Sequence, residues 1–243
     1  MTDWLDLARV ALDTSPGVVS FFFRDDDVGW DDDALWHLLD RVDKHGVHID
    51  LAVIPGDLGG ILASGLRDRA ASGLVHLHQH GFRHLNHETG GRKFEFGPSR
   101  AYDAQHADIA TGRKLLDDQL DRCLEPIFTP PWNRCTEVTA AVLVDLEFEV
   151  LSRDHSAGRF GLDGLCEVPV TVDWFAKGKC GPVSRDELGA LVAHRIVGSR
   201  GPVGVMLHHG VTDPEQLELI DELFALVAGH PLAVSTSIYN WSL

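Results

Sequence analysis

Two hydrophobic rhythms alternate along this chain. Residues 18–23 form a continuous apolar, aromatic-rich run, the pattern of a strand buried on both faces. Residues 34–44 follow with Leu35, Leu38, Leu39 and Val42 at helical spacing, and Gly46 supplies a stop. Residues 47–54 read as the next strand, closed by Pro55-Gly56, and 58–71 as a weaker helix interrupted by glycines. A third strand over 74–79 runs into a cluster of histidines. The alternation continues with a helix over 105–120, a strand over 127–129 closed by Pro130-Pro131, and a helix over 137–146. Extended segments over 148–152 and 165–170 precede a helix at 185–197, a strand over Val203–Leu207, a helix at 215–228 and a last strand at 232–235. A short amphipathic helix over about 3–13 is expected to lie across the bottom of the sheet.

Strand and helix thus alternate some seven or eight times without a linker or break in composition, which implies parallel strands joined by right-handed crossovers. The expected fold is α/β: one domain over residues 1–243 forming a distorted or incomplete (β/α) barrel of seven to eight strands. An open doubly wound sheet ranks second and lacks a Gly-rich phosphate loop. Residues 86–104 are a polar, Gly-containing excursion, and a loop of that length in a compact domain is usually functional.

Composition narrows the function. A 44% hydrophobic share with 24% charged residues is that of a soluble globular protein. A formal charge of −16 opposes binding to nucleic acid or to an anionic membrane surface. No apolar run is long enough to span a bilayer. The first residues carry neither a basic nor an apolar targeting region, so a cytoplasmic location is expected. Cys123, Cys135, Cys166 and Cys180 lack metal-type spacing and read as free thiols. A small-molecule partner remains; the oligomeric state is not legible.

The polar residues change the picture through their positions. Asp26 and Asp27, His80 and His84, residues 129–132, Asp173-Trp174 and His208 all fall at or just after the C-terminal ends of predicted strands. In an α/β barrel those ends converge on one face, where active sites are built. His80 and His84 would share a face if the chain turned once as a helix after His80. Two imidazoles with one carboxylate suit zinc, and a spare carboxylate beside them suits a base. Read alone, a His-rich loop is also an ordinary solvated loop, and Asp31, Asp32 and Asp33 read as helix cap and first-turn acids.

In this order the motifs resemble the polysaccharide deacetylase (NodB-like, carbohydrate esterase family 4) superfamily. They are Asp25-Asp26-Asp27-Val28-Gly29, His80-Gly81-Phe82-Arg83-His84, Phe128-Thr129-Pro130-Pro131-Trp132-Asn133-Arg134, Asp173-Trp174 and Met206-Leu207-His208. The resemblance implies one divalent metal ion, most often zinc, and hydrolysis of an N-acetyl group from a small amino sugar or related amide. By the same resemblance Asp27, His80 and His84 are the metal ligands, Asp26 the general base and His208 the general acid. Asp25/Asp26 is the competing register, and His209 the competing acid. Asp173 is expected to orient His208 and raise its pKa. Pro131, Trp132, Trp174 and Glu95 are substrate-binding candidates, and His87 is a further candidate ligand. The family's third motif carries an arginine where this chain has Thr129, and Arg24 or Arg134 are the candidates to replace it. Another carbon–nitrogen hydrolase, or a non-catalytic sugar- or metal-binding homologue, are the competing functions.

Overall fold

The structure is a computed structural model describing residues 3–121, 123–178, 181–198 and 201–243. Its parallel strands β1 (Val19–Val28), β2 (Ile49–Val53), β3 (Val75–His80), β4 (Leu124–Thr129), β5 (Val150–Leu151), β6 (Cys166–Glu167), β7 (Val172–Asp173) and β10 (Val203–Leu207) line up in the order β6-β5-β4-β3-β2-β1-β10-β7. Two-residue strands β8 (Lys177–Gly178) and β9 (Gly181–Pro182) form a separate antiparallel pair. A last strand, β11 (Ala233–Ser235), pairs with the start of β1 below the stretch that β2 occupies.

The ends of this order, β6 and β7, belong to one stretch of chain. Its first part donates backbone N–H groups from Cys166, Val168 and Val170 to Glu149, Leu151 and Arg153. Its second part donates from Thr171 and Trp174 to Gly204 and Met206. One broken stave therefore bridges β5 and β10, half on each, and the sheet curls into an incomplete (β/α) barrel.

Helices α2 (Asp32–His45), α3 (Gly60–Ala70), α4 (Tyr102–Leu120), α5 (Glu137–Asp145), α6 (Arg185–Gly198) and α7 (Pro214–Gly229) follow the strands, with α1 (Asp6–Asp13) before and α8 (Ile238–Ser242) after. In α2, the Asp31 side chain accepts from the Ala34 N–H and Gly46 ends the helix in the left-handed conformation, as the sequence implies. α1 departs from expectation. It runs beside α6 down the outer wall, with the Trp4 carbonyl seated where a side chain on Gly189 would stand. β1 is also longer than its apolar run, because Arg24 to Asp27 continue the strand into the barrel mouth. α4 begins at Tyr102, inside the stretch read as loop, and α8 has no counterpart in the sequence reading.

Alternation along β1 fixes what faces where. Phe21 and Phe23 pack outward against the helices, whereas Phe22 joins Ile127, Val150, Val168, Val170 and Met206 inside the barrel. The rest of the interior is polar: Arg24, Asp50 and His78 are fully buried. Cys123, Cys135 and Cys166 are free thiols, and Cys180 lies outside the described residues. Among the described residues no helix is long and apolar enough to cross a membrane.

Candidate metal centre

The three acids of β1 part company. Asp25 has the outward parity of Phe21 and Phe23, and its carboxylate accepts from the His209 backbone N–H at 2.9 Å and pairs with His209 Nδ1 at 2.5 Å. Asp26 has the inward parity of Arg24. Strict alternation would send Asp27 outward again, but its φ of 67° and a register shift between Asp25 and Val28 turn it back over the mouth. Asp27 Oδ1 then lies 3.1 Å from His80 Nε2 and 3.1 Å from His84 Nε2.

His80 ends β3, with Nδ1 3.0 Å from the Thr129 carbonyl oxygen. That oxygen only accepts, so Nδ1 carries a proton and Nε2 is the nitrogen turned to Asp27. The helical turn expected after His80 does not form. Gly81 and His84 both adopt left-handed backbone, at φ 56° and 54°. The N–H groups of Phe82, Arg83 and Leu85 instead converge on the Glu95 carboxylate at 3.0, 2.7 and 3.4 Å. Glu95 is 1% exposed, so it is a brace for the ligand loop and not the substrate contact expected from sequence. A Cβ at position 81 would collide with Glu95 Oε2 and with the Pro131 ring, so this turn requires glycine. Pro131 thus lies under the loop, buried. The His84 ring is flanked by Trp30, centroids 4.8 Å apart, and Trp132, 4.5 Å apart.

Beside the ligands, Arg24 grips Asp26 through Nε–Oδ1 and Nη2–Oδ2 bonds of 2.8 Å each. Its remaining N–H groups donate to Ser152 Oγ at 2.9 Å and Asn133 Oδ1 at 2.7 Å. Thr129, where the family carries arginine, pairs through its hydroxyl with His78 Nε2. Arg134 donates to the Lys93 carbonyl and makes no bond to Asp26.

His208 Nε2 stands 4.0 Å from Asp27 Oδ2 on the opposite rim. His209 is buried, with Nε2 2.6 Å from the Trp30 carbonyl, so both its nitrogens are engaged away from the ligands. Asp173 sits on β7, where burial raises its carboxyl above the ordinary value while the Phe175 N–H and the charge of His208 pull it back. No hydrogen bond joins Asp173 to His208 among the described residues.

Other candidates fall elsewhere. Trp174 is 3% exposed, packs edge-on against Trp4 and donates to Gln216 Oε1, so it belongs to the core and offers no face to a sugar. His87 is exposed, and the donor cluster found among the described residues is Asp27, His80 and His84. His76 pairs with Glu125 and His48 at the other end of the barrel. Arg100 forms an ion pair with Asp108. Trp30 was not anticipated, and Asn133, although inside the third motif, was given no role.

These residues fit a divalent ion. Four-coordinate zinc with bonds of about 2.1 Å places its donors roughly 3.4 Å apart. The nearest nitrogen, oxygen and nitrogen atoms of His80, Asp27 and His84 all lie within 4.8 Å of one another. Burial opposes charge on Asp27, but the hydrogen bonds from His80 and His84 outweigh it and hold the carboxyl far below the ordinary range. Burial likewise opposes charge on His80, which Asp27 and Asp26 overcome, raising it.

No family model matches the sequence, and no curated protein matches it by sequence comparison. Solved structures do match the fold. A Mycobacterium smegmatis protein assigned as a polysaccharide deacetylase aligns with a TM-score of 0.67 at 16% identity, over 92% of this chain and 89% of the other. A family 4 acetyl xylan esterase from Clostridium thermocellum, in complex with a cobalt ion, aligns at 0.63 and 15% identity over 91% and 89%. A CE4 family pseudoenzyme from Bacillus anthracis aligns at 0.64 and 13% identity, over 94% of this chain and 66% of that one.

Proposed function

We propose that this chain, which has the fold of the CE4 polysaccharide deacetylases, is a zinc-dependent hydrolase that removes an N-acetyl group from a small amino sugar or related amide. The observation that carries the reading is the meeting of Asp27, His80 and His84 beside an arginine-held carboxylate, Asp26. When bound, the ion supplies Lewis acidity toward water and toward an acyl oxygen.

The chain's own groups do the rest. Asp26, held in place by Arg24 through two hydrogen bonds, accepts a proton from the attacking water as the acyl carbon becomes tetrahedral. His208, on the far rim, delivers a proton to the departing nitrogen, so the C–N bond breaks and acetate and an amine leave. Trp30 and Trp132 fix His84 from two sides and shape the wall on which a sugar face can lie. A pseudoenzyme with this fold makes the test one of the base and not of the barrel. Asp26→Asn with zinc content unchanged is expected to lower kcat by at least about a hundredfold on N-acetylated amino sugars. Undiminished turnover in that variant would refute the assignment.

A further inference from the structure

Acids outnumber bases in this chain, 37 to 21, and most described cations have an acidic partner, Arg9, Arg41, Lys44, Arg69, Arg100 and Arg153 among them. Arg83, Arg92, Lys93, Arg134, Arg159 and Arg195 do not: among the described residues no carboxylate lies within 4.0 Å of any of them. Three of these, Arg92, Lys93 and Arg134, lie together. Lys93 Nζ is 5.7 Å from the centroid of Trp132, whose ring is 4.5 Å from that of His84. Arg134 donates from Nη1 to the Lys93 carbonyl at 3.4 Å, and Arg92 is close enough for its charge, after burial, to depress Arg134. Arg83 stands apart from them, its side chain against Gly56 and the Phe82 ring. The opposite rim carries Asp173 and His208.

Cations of one sign, crowded and unneutralised in so acidic a chain, repel one another unless something else neutralises them. Resting on the hydrolase reading above, we propose that the substrate carries a carboxylate or phosphate beyond its scissile amide, and that Lys93, Arg134 and Arg92 bind this anion at the Trp132 edge of the site. The amide nitrogen then faces His208 while the anionic end lies under the basic loop. Neutral substrates forgo that contact.

The test compares the zinc-loaded protein on N-acetylglucosamine, its 6-phosphate and an N-acetylated amino-sugar uronic acid. At least a tenfold higher kcat/KM on one anion is expected, and which anion it is separates phosphate from carboxylate. The double variant Lys93→Ala/Arg134→Ala should lose about tenfold on that anion through KM and leave the neutral sugar unchanged, as expected for two partly solvated cations. Added salt should shrink the preference. Equal turnover of all three substrates, or equal loss on all three in the variant, overturns the anion site and leaves the hydrolase reading standing. Calorimetric titration of the metal-free protein with the deacetylated anionic amines reads the site without catalysis. Binding that weakens tenfold in the variant supports the anion site even if no substrate is turned over, an outcome that would defeat the hydrolase reading alone. Absence of binding to either amine counts against the anion site.

Discussion

The guanidinium of Arg24 lies against the carboxylate of Asp26 in two parallel hydrogen bonds, both made two residues along one strand. Donor and acceptor share the inward face of β1, so the strand's own period positions the pair. A carboxylate braced from its own strand, here Asp26, the proposed base, needs no arginine on β4, where Thr129 stands.

Arg24→Lys keeps a charge but loses the fork that matches a carboxylate. It is expected to lower kcat about a hundredfold at unchanged zinc content, because Asp26 loses the two parallel hydrogen bonds that hold its carboxylate in place. Arg24→Met leaves Asp26 buried without its partner, at a cost on the order of 3–5 kcal/mol in denaturant unfolding. A lysine variant with the wild-type kcat would show that the fork does not position the carboxylate.

Glu95 offers a second test, because it acts on the ligands only through the loop. Its carboxylate collects three backbone N–H groups of the segment that ends at Leu85, and replacing it by alanine leaves them without that acceptor. Glu95→Ala should weaken zinc binding by roughly 10- to 100-fold, as loss of an outer support of a metal site does. Glu95→Gln should recover part of it. Zinc affinity measured by competition with a chelator checks both. Unaltered affinity in the alanine variant would mean that the loop holds its shape by other contacts.

The fold was legible because its signals are long: apolar runs and helical spacing repeat often enough to impose a barrel, and barrel strand ends converge. His80, His84 and an acid of the 25–27 run could be brought to one face on those grounds, whereas Asp27 as the metal-binding one of the three rests on the family resemblance. Other features rest on single backbone angles. A run of three acids has no internal landmark, and the left-handed turn at Asp27 that separates the outward Asp25 from the mouth leaves no mark in the alternation. Gly81 and His84 hide a non-helical loop behind a helical spacing. Trp174 sits in the expected motif yet turns into the core, and Glu95 acquires its role only from a fold that brings residues 82–85 to it.

Zinc should bind the folded chain and not the unfolded one, so metal raises stability by mass action. At free zinc a hundredfold above its dissociation constant the gain is about 2.7 kcal/mol, a rise of roughly 5–10 °C in Tm for a chain of this size. Thermal scans with zinc and with a chelator should show that difference in the wild type and lose it in His84→Ala. A rise of equal size in His84→Ala would mean that zinc acts elsewhere.

His209 is expected to set the alkaline limit of stability. Its Nδ1 faces Asp25 Oδ2 at 2.5 Å and its Nε2 the Trp30 carbonyl at 2.6 Å, so both nitrogens serve as donors and the ring is an imidazolium. Burial would lower its pKa, but the charge and hydrogen bond of Asp25 win and lift it from 6.5 to about 9. A base whose folded pKa is raised stabilises the fold fully below the unfolded value, and that contribution fades as pH climbs from 6.5 through 9. The upper bound is on the order of 3 kcal/mol, from about 1.4 kcal/mol per pH unit. Urea unfolding at pH 6 and pH 9.5 should reveal the loss in the wild type and a much flatter response in Asp25→Asn/His209→Gln. Because His209 holds the Trp30 carbonyl, and Trp30 packs on His84, the same titration should loosen the wall behind this proposed metal ligand, read as a change in tryptophan fluorescence over that interval. Equal alkaline slopes in the wild type and the double variant would assign the limit to other groups.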